Sequence, residues 1–338
     1  MYRPSVRAAL AIVLGLAACG AAGGAAPDAR PDGPAVDVDA GVNPPRVLAL
    51  EPSRYGLDSH LAGDDLFDAF AGIGIRWHRI DIDWDVIEAV RGQPDWTDLD
   101  RVVADADRLG LALFGSIAYT PAWASGRADR AAPPLDPADY VAFVREVVRR
   151  YRGRIACLGV WNEPNLRQFW AGTQAQYLTE ILVPGLFAIH MEAPEQVTCG
   201  PDLSSAGDER GQWLGPILDA AGGQLDVITH HQYDGGDTVA GRAAEIDRLR
   251  AFLVARGQGH KPLWISEIGW SRRDVTEAEQ ATLLTGTMAA MAARPFWTKT
   301  FWYDSHGADF GLVGPDGAPD RGVPRAAFHA YAAVIAGP

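Results

Sequence analysis

The run Ile155-Ala156-Cys157-Leu158-Gly159-Val160-Trp161-Asn162-Glu163-Pro164-Asn165 decides how this chain is read. Its first part, Ile155 to Val160, has the length and apolar composition of a buried strand. Pro164 has no N–H to continue a ladder, so Glu163 falls where a strand stops and a loop begins. A second run repeats the arrangement: Leu263-Trp264-Ile265-Ser266-Glu267-Ile268-Gly269-Trp270 is apolar and ends in a glutamate between tryptophans. One glutamate at a strand end is ordinarily a solvated or salt-bridged loop residue. Two in matching surroundings point to paired-carboxylate chemistry on a sugar.

Outward from these runs, strands alternate with helices, the order of a parallel α/β barrel. Before the first run come strands near Tyr55-Gly56-Leu57-Asp58, over Ile75 to Ile82 and over Leu111 to Ile117. Between them, Leu66, Phe67 and Phe70 form one helical face, and Leu99, Val102, Val103, Ala106 and Leu109 form another that stops at Gly110. Asp136 caps a helix with Pro137 in its first turn, running to Tyr151. After the first run, Thr173 and Gln176 make a capping-box pair. A fifth strand is expected over Gln196 to Gly200, a helix over Gln212 to Ala221, a sixth strand over Val227 to His230 and a helix over Thr238 to Arg256. Thr276 and Glu279 open the helix after the second run. A last strand over Lys299 to Trp302 and a helix over Pro324 to Ile335 complete eight strand–helix units, a single (β/α)8 TIM barrel of class α/β over residues 47–338.

The two glutamate runs together resemble the retaining glycoside hydrolases of clan A, which are (β/α)8 barrels. That resemblance implies Glu163 as acid/base at the end of strand 4 and Glu267 as nucleophile at the end of strand 7. It further implies that Asn162 binds the sugar 2-hydroxyl and that Arg79, near the end of strand 2, donates to Glu267. In Asp226-Val227-Ile228-Thr229-His230-His231-Gln232-Tyr233, His231 would contact substrate or the acid/base, and the Tyr233 hydroxyl would donate to the nucleophile. Trp302 would be the floor on which the reacting sugar stacks, and Trp123 would line a subsite. Trp170, Trp213 and Trp270, with Asp304, His306 and Asp309 of the last loop, are weaker candidates. Gly74-Ile75-Arg76-Trp77-His78-Arg79-Ile80-Asp81 and Tyr119-Thr120-Pro121-Ala122-Trp123-Ala124 look more like family 39 than family 5, whose sequences usually carry a His where Tyr119 stands. No cofactor is expected. Adjacent His230 and His231 lack a third ligand at metal spacing, so no metal is expected either. A surface barrel that binds glycan without cleaving it, and a transglycosylase using the same glutamates, remain open as alternatives.

The 338 residues carry a net charge of −13 with no basic patch, which argues against nucleic acid as a partner. A β-linked carbohydrate substrate and a monomeric state are the expectations. Residues 1–18 read as an export signal: Arg3 and Arg7 precede a short apolar run, Ala8 to Leu16. Leu16-Ala17-Ala18-Cys19-Gly20 resembles the bacterial lipobox, with Cys19 as the lipidated residue. That implies an exported lipoprotein at the outer membrane, the cell surface or the periplasm, touching membrane through its lipid alone. Residues 19–46, rich in Ala, Gly, Pro and Asp, read as a tether unable to bury enough surface to order itself. Cys157 and Cys199 fall on neighbouring strands; export permits a disulfide, and two buried thiols fit the sequence equally.

Overall fold

The computed structural model describes residues 50–207, 211–315 and 317–337. The signal, Cys19 and the tether lie outside the described residues. Among those described, eight strands close into a parallel barrel in chain order: β1 (Tyr55–Asp58), β2 (Trp77–Asp83), β3 (Ala112–Ala118), β4 (Cys157–Val160), β5 (Val197–Ser204), β6 (Val227–His231), β7 (Leu263–Ile268) and β8 (Trp297–Trp302). The principal helices between them are α1 (Asp64–Gly72), α2 (Thr97–Leu109), α3 (Pro137–Tyr151), α4 (Val183–Glu192), α5 (Leu214–Ala221), α6 (Val239–Ala255), α7 (Glu277–Ala292) and α8 (Ala326–Ala336). This is the expected (β/α)8 order. None of the described helices is long and apolar enough to cross a membrane.

The helix signals act as their chemistry requires. The carboxylate of Asp136 accepts from the Ala138 N–H at the start of α3, and Thr276 and Glu279 satisfy each other's backbone N–H groups at the start of α7. α2 buries Leu99, Val102, Val103 and Ala106 and ends where Gly110 turns left-handed, φ 64°. The Thr173/Gln176 box forms as read, but the chain then makes a wide π turn over Tyr177–Leu182 before α4. Pro184 explains it, because it has no N–H to return to the previous turn.

Two departures in the strands matter for function. β5 runs on to Ser204, four residues past the expected end, because Pro201 does not stop it. Gly200 pairs with Ile228 and Leu203 with His230, so β5 holds one extra residue, a bulge at Pro201-Asp202. β7 has a second bulge: His230 pairs with Ile265 but His231 with Glu267, leaving Ser266 as the extra residue.

The lower, N-terminal half of the barrel interior is apolar. Trp77, Phe114, Cys157, Cys199, Val227, Trp264 and Phe301 fill it. Gly56 makes room, since a Cβ there would come within 2.7 Å of the Phe301 ring. Cys157 and Cys199 form a disulfide between β4 and β5, with Cα atoms 6.0 Å apart. Lys299 closes the bottom: its ammonium lies 4.4 Å from the Trp77 ring centre and hydrogen-bonds the carbonyls of Glu51 and Ser53. Burial pushes its pKa down to about 7.

Candidate active site

Glu163, Glu267, Arg79, Asn162, His231 and Tyr233 lie at the other end, where the strands finish. The backbone there is unusual. Among the described residues, five that are not glycine adopt positive φ: His60, Tyr119, Trp161, Glu163 and Asp202. They follow β1, β3 and β4 or sit in the β5 bulge. Such left-handed residues persist only where surrounding contacts over-determine them. Those contacts are present after β4. The Trp161 N–H donates to the Ile117 carbonyl at 2.9 Å, its carbonyl accepts from Ser116 Oγ at 2.9 Å, and the Glu163 N–H donates to the Asp202 carbonyl at 2.9 Å. The chain kinks out of the strand and delivers Asn162 and Glu163 to the mouth.

Glu163 and Glu267 meet there. With His231 they offer three ligand-type atoms within 4.8 Å of one another, all from buried residues. His231 Nδ1 stands 3.0 Å from Glu163 Oε1 and 3.2 Å from Glu267 Oε1. Arg79 is the hub of the opposite side: one guanidinium nitrogen donates to Asp58 (2.6 Å) and Glu267 (3.0 Å), the other to Asn162 Oδ1 (2.7 Å) and Asp202 (3.4 Å). The Tyr233 hydroxyl donates to Glu267 Oε2 at 2.8 Å. Because its Oδ1 is held by Arg79, Asn162 turns its amide nitrogen toward the Tyr119 hydroxyl, 3.3 Å away. Gly269 permits the closing of β7 on β8, since a Cβ would lie 2.2 Å from the Tyr303 carbonyl.

The charges are unevenly matched: the cations Arg79 and His231 face Asp58, Asp202, Glu163 and Glu267. Burial disfavours an imidazolium, yet Glu267, Asp202 and Glu163 overcome it and lift His231 to about 10. Burial pushes the Glu267 carboxyl up to about 7; His231 and Arg79 oppose the rise, while Asp58 and Glu163 add to it. Glu163, though buried, is held below the usual carboxylate range by the hydrogen bond and charge of His231. Two acids this close titrate as a pair, and the pair gives up its last proton as the pH rises through about 7. Burial and Glu267 together keep Tyr233 protonated as a donor.

Glu163, His231 and Glu267 are also the atoms a metal ion would use. An imidazole ligand must be neutral, and three carboxylates hold this one as a cation.

The structure thus brings together Glu163, Glu267, Asn162, Arg79, His231 and Tyr233. It corrects one expectation and leaves another apart. Trp302 is fully buried and stacks on Trp270, ring centres 5.8 Å apart, so no indole face is left for a sugar. Tyr303, the next residue, is half-buried at the mouth, with ring contacts to Tyr233, His60 and Phe310. Trp123 is half-buried beside Trp84 and under Arg91, and its indole nitrogen donates to the Glu88 carbonyl. None of its contacts reaches the carboxylate pair. Trp170 and Trp270 are buried. Sequence reading missed Asp58, Asp202, His60 and Tyr303. His60 bonds Asp81 at 2.6 Å, and Asp304 on the last loop is buried nearby with its carboxyl pushed up by burial. That Asp58 and His60 lie at the end of β1 was the available signal.

No protein-family description matches the chain, and no curated protein sequence does. Solved structures do. A family 39 glycoside hydrolase from the gut symbiont Bacteroides cellulosilyticus WH2 superposes with TM-score 0.66 at 19% identity, over 84% of this chain and 63% of that one. A monomeric beta-xylosidase from Caulobacter crescentus CB15 gives 0.67 at 17%, over 83% and 67%. A GH5_18 protein of Streptomyces cattleya, in complex with Manb1-4GlcNAc, gives 0.60 at 19%, over 84% and 80%. This chain therefore spans less than two thirds of the Bacteroides protein's length. At such identities the likeness establishes one thing, that this chain has the (β/α)8 barrel on which glycoside hydrolases of families 39 and 5 are built.

Proposed function

We propose that this chain is a retaining glycoside hydrolase that cleaves β-linked carbohydrate by double displacement. The observation that carries the reading is the carboxylate pair at the ends of β4 and β7, with facing oxygens within 4.8 Å and His231 between them. Retaining enzymes hold their carboxyls ~5–5.5 Å apart, and inverting ones hold them wider to admit a water.

Glu267 is the nucleophile, oriented by Arg79 and Tyr233. Glu163 protonates the departing oxygen, then takes the proton of the water that resolves the glycosyl-enzyme. Asn162 supports the division: with Oδ1 fixed on Arg79, its amide nitrogen gives one hydrogen to the Tyr119 hydroxyl and has a second to donate to a sugar hydroxyl. In the protein alone the shared proton favours Glu267. An electron-poor anomeric carbon over Glu267, and a basic leaving oxygen beside Glu163, draw it to Glu163. The facing carboxylate oxygens lie within 4.8 Å, which keeps the transfer short.

The likeness to glycosidase barrels supports a carbohydrate substrate, and the disulfide supports export to an oxidising compartment. A polymer is the better fit to the lipid-tethered surface location read from residues 1–46. The test is hydrolysis by the full-length chain of aryl β-glycosides and β-linked polysaccharides, with the first-formed anomer read by NMR. Retained configuration is expected, with activity falling as the pH rises through about 7 and the pair loses its proton. Inverted product, or undiminished activity in Glu267→Gln, would sink the reading.

A further inference from the structure

The two bulges described above share one consequence. They lie on the strands that flank β6, and their extra residues meet: Ser266 Oγ donates to Asp202 Oδ1 at 2.5 Å. β6 ends between them in His231. The same Asp202 oxygen stands 3.6 Å from His231 Nε2, which has no nearer acceptor. Asp202 is 1% exposed, its N–H is tied to Thr229 Oγ1 at 3.1 Å, and its backbone is left-handed, φ 50°. A bulge re-aims a side chain. Here the left-handed Asp202 of the Gly200-Pro201-Asp202 bulge brings a carboxylate behind a histidine, where a regular strand would place it elsewhere.

We propose that Asp202, anchored by Ser266, is a positioning residue: it holds His231 as an imidazolium with Nδ1–H aimed at both glutamates. This rests on the glycosidase reading above. During glycosylation the C1–oxygen bond breaks, Glu267 bonds to C1, and the proton of Glu163 leaves with the departing oxygen. The bare Glu163 carboxylate then receives the His231 hydrogen bond at full charge. His231 keeps both protons throughout and changes only which glutamate it favours. During deglycosylation, water bonds to C1 as the Glu267–C1 bond breaks, and Glu163 takes the water's proton back.

The groups around His231 come from every neighbouring strand: Glu163 after β4, Asp202 on β5, Glu267 on β7, with Arg79 of β2 and Asp58 of β1 behind them. Tyr233 follows on its own strand, and burial holds its neighbour His230 neutral, with a pKa near 3. Arg79 engages Asp58 and Glu267 and reaches the other oxygen of Asp202 at 3.4 Å, and among the described residues Asp202 Oδ1 is the only carboxylate oxygen within 4 Å of His231 Nε2.

Histidine-selective 15N NMR on the full-length chain reads the ring directly. At pH 7.5 the wild type should show both nitrogens of His231 protonated. In Asp202→Asn the midpoint should fall by roughly 1–3 pH units. Its kcat should drop on the order of 10-fold or more, within the range set by proton-transfer groups, with KM little changed and the alkaline limb of the pH profile moved up, because the imidazolium that lowers both glutamates is lost. A neutral His231 in the wild type overturns the proposal, and that measurement stands even if Asp202→Asn does not fold. A folded Asp202→Asn that keeps the wild-type midpoint, with activity lower by one factor at every pH, overturns it too. A wild type inert on every β-glycoside but with His231 doubly protonated and shifted by the substitution sinks the glycosidase reading while supporting the pairing.

Discussion

The two ends of this barrel are built from the same eight strands and obey opposite rules. At the N-terminal end the interior is a plug of aromatic rings, aliphatic side chains and a disulfide, with one cation, Lys299, placed on tryptophan faces and backbone carbonyls. At the C-terminal end a few residues further along the same strands, the interior is a knot of carboxylates around Arg79 and His231. Register is regular where the plug lies on β2 through β4 and bulged where β5 and β7 enter the knot. Stability arguments apply to one end and reactivity arguments to the other, as in barrels generally. The comparison predicts which substitutions should harm activity without harming the fold, and the reverse.

The largest expected effect is at the mouth. Glu267→Gln should lower kcat on the order of 10⁴–10⁶-fold, the scale for removing a reacting group, with cooperative unfolding retained. Glu163→Gln should cost about 10²–10⁴-fold on substrates whose leaving oxygen needs a proton, and far less on activated aryl glycosides. Equal losses on both substrate types would break the assignment of acid and nucleophile. The plug gives the mirror image. Trp264→Ala should cost about 3–5 kcal/mol of stability, seen as an earlier denaturant midpoint, while kcat per folded molecule stays close to wild type. Replacing Cys157 and Cys199 together by alanine should cost somewhat less, about 2–4 kcal/mol for a cross-link of this span. A fall in kcat of the folded double variant would mean that the two ends are not independent.

How much of this was legible beforehand follows the same division. The order of strands and helices could be read because each helix carries its own cap and apolar stripe, Asp136 and Gly110 being examples. Glu163, Glu267, Arg79, His231 and Tyr233 could be read because each stands next to a strand end in a recognisable run. Asp202 could not. Gly200-Pro201-Asp202 has the composition of a turn, and only the pairing of β5 with β6 turns it into a bulge. Trp302 was misplaced for a related reason. Phe301 packs in the barrel interior, so the two-residue period returns the chain to that face at Tyr303, and Trp302 goes to the opposite one. A large aromatic ring at a strand end was a weaker signal than parity.

The left-handed residues at the mouth carry a practical consequence for anyone seeking a more heat-tolerant form. Each non-glycine residue in that region costs roughly 1–3 kcal/mol, and five together rival the ~5–15 kcal/mol net stability of a whole domain. Relief by glycine or by a relaxed loop is the obvious engineering route. Here it would remove His60, Tyr119, Trp161, Glu163 or Asp202, the residues that line or shape the mouth. Heat tolerance for this barrel has to be added at its floor and its outer helices.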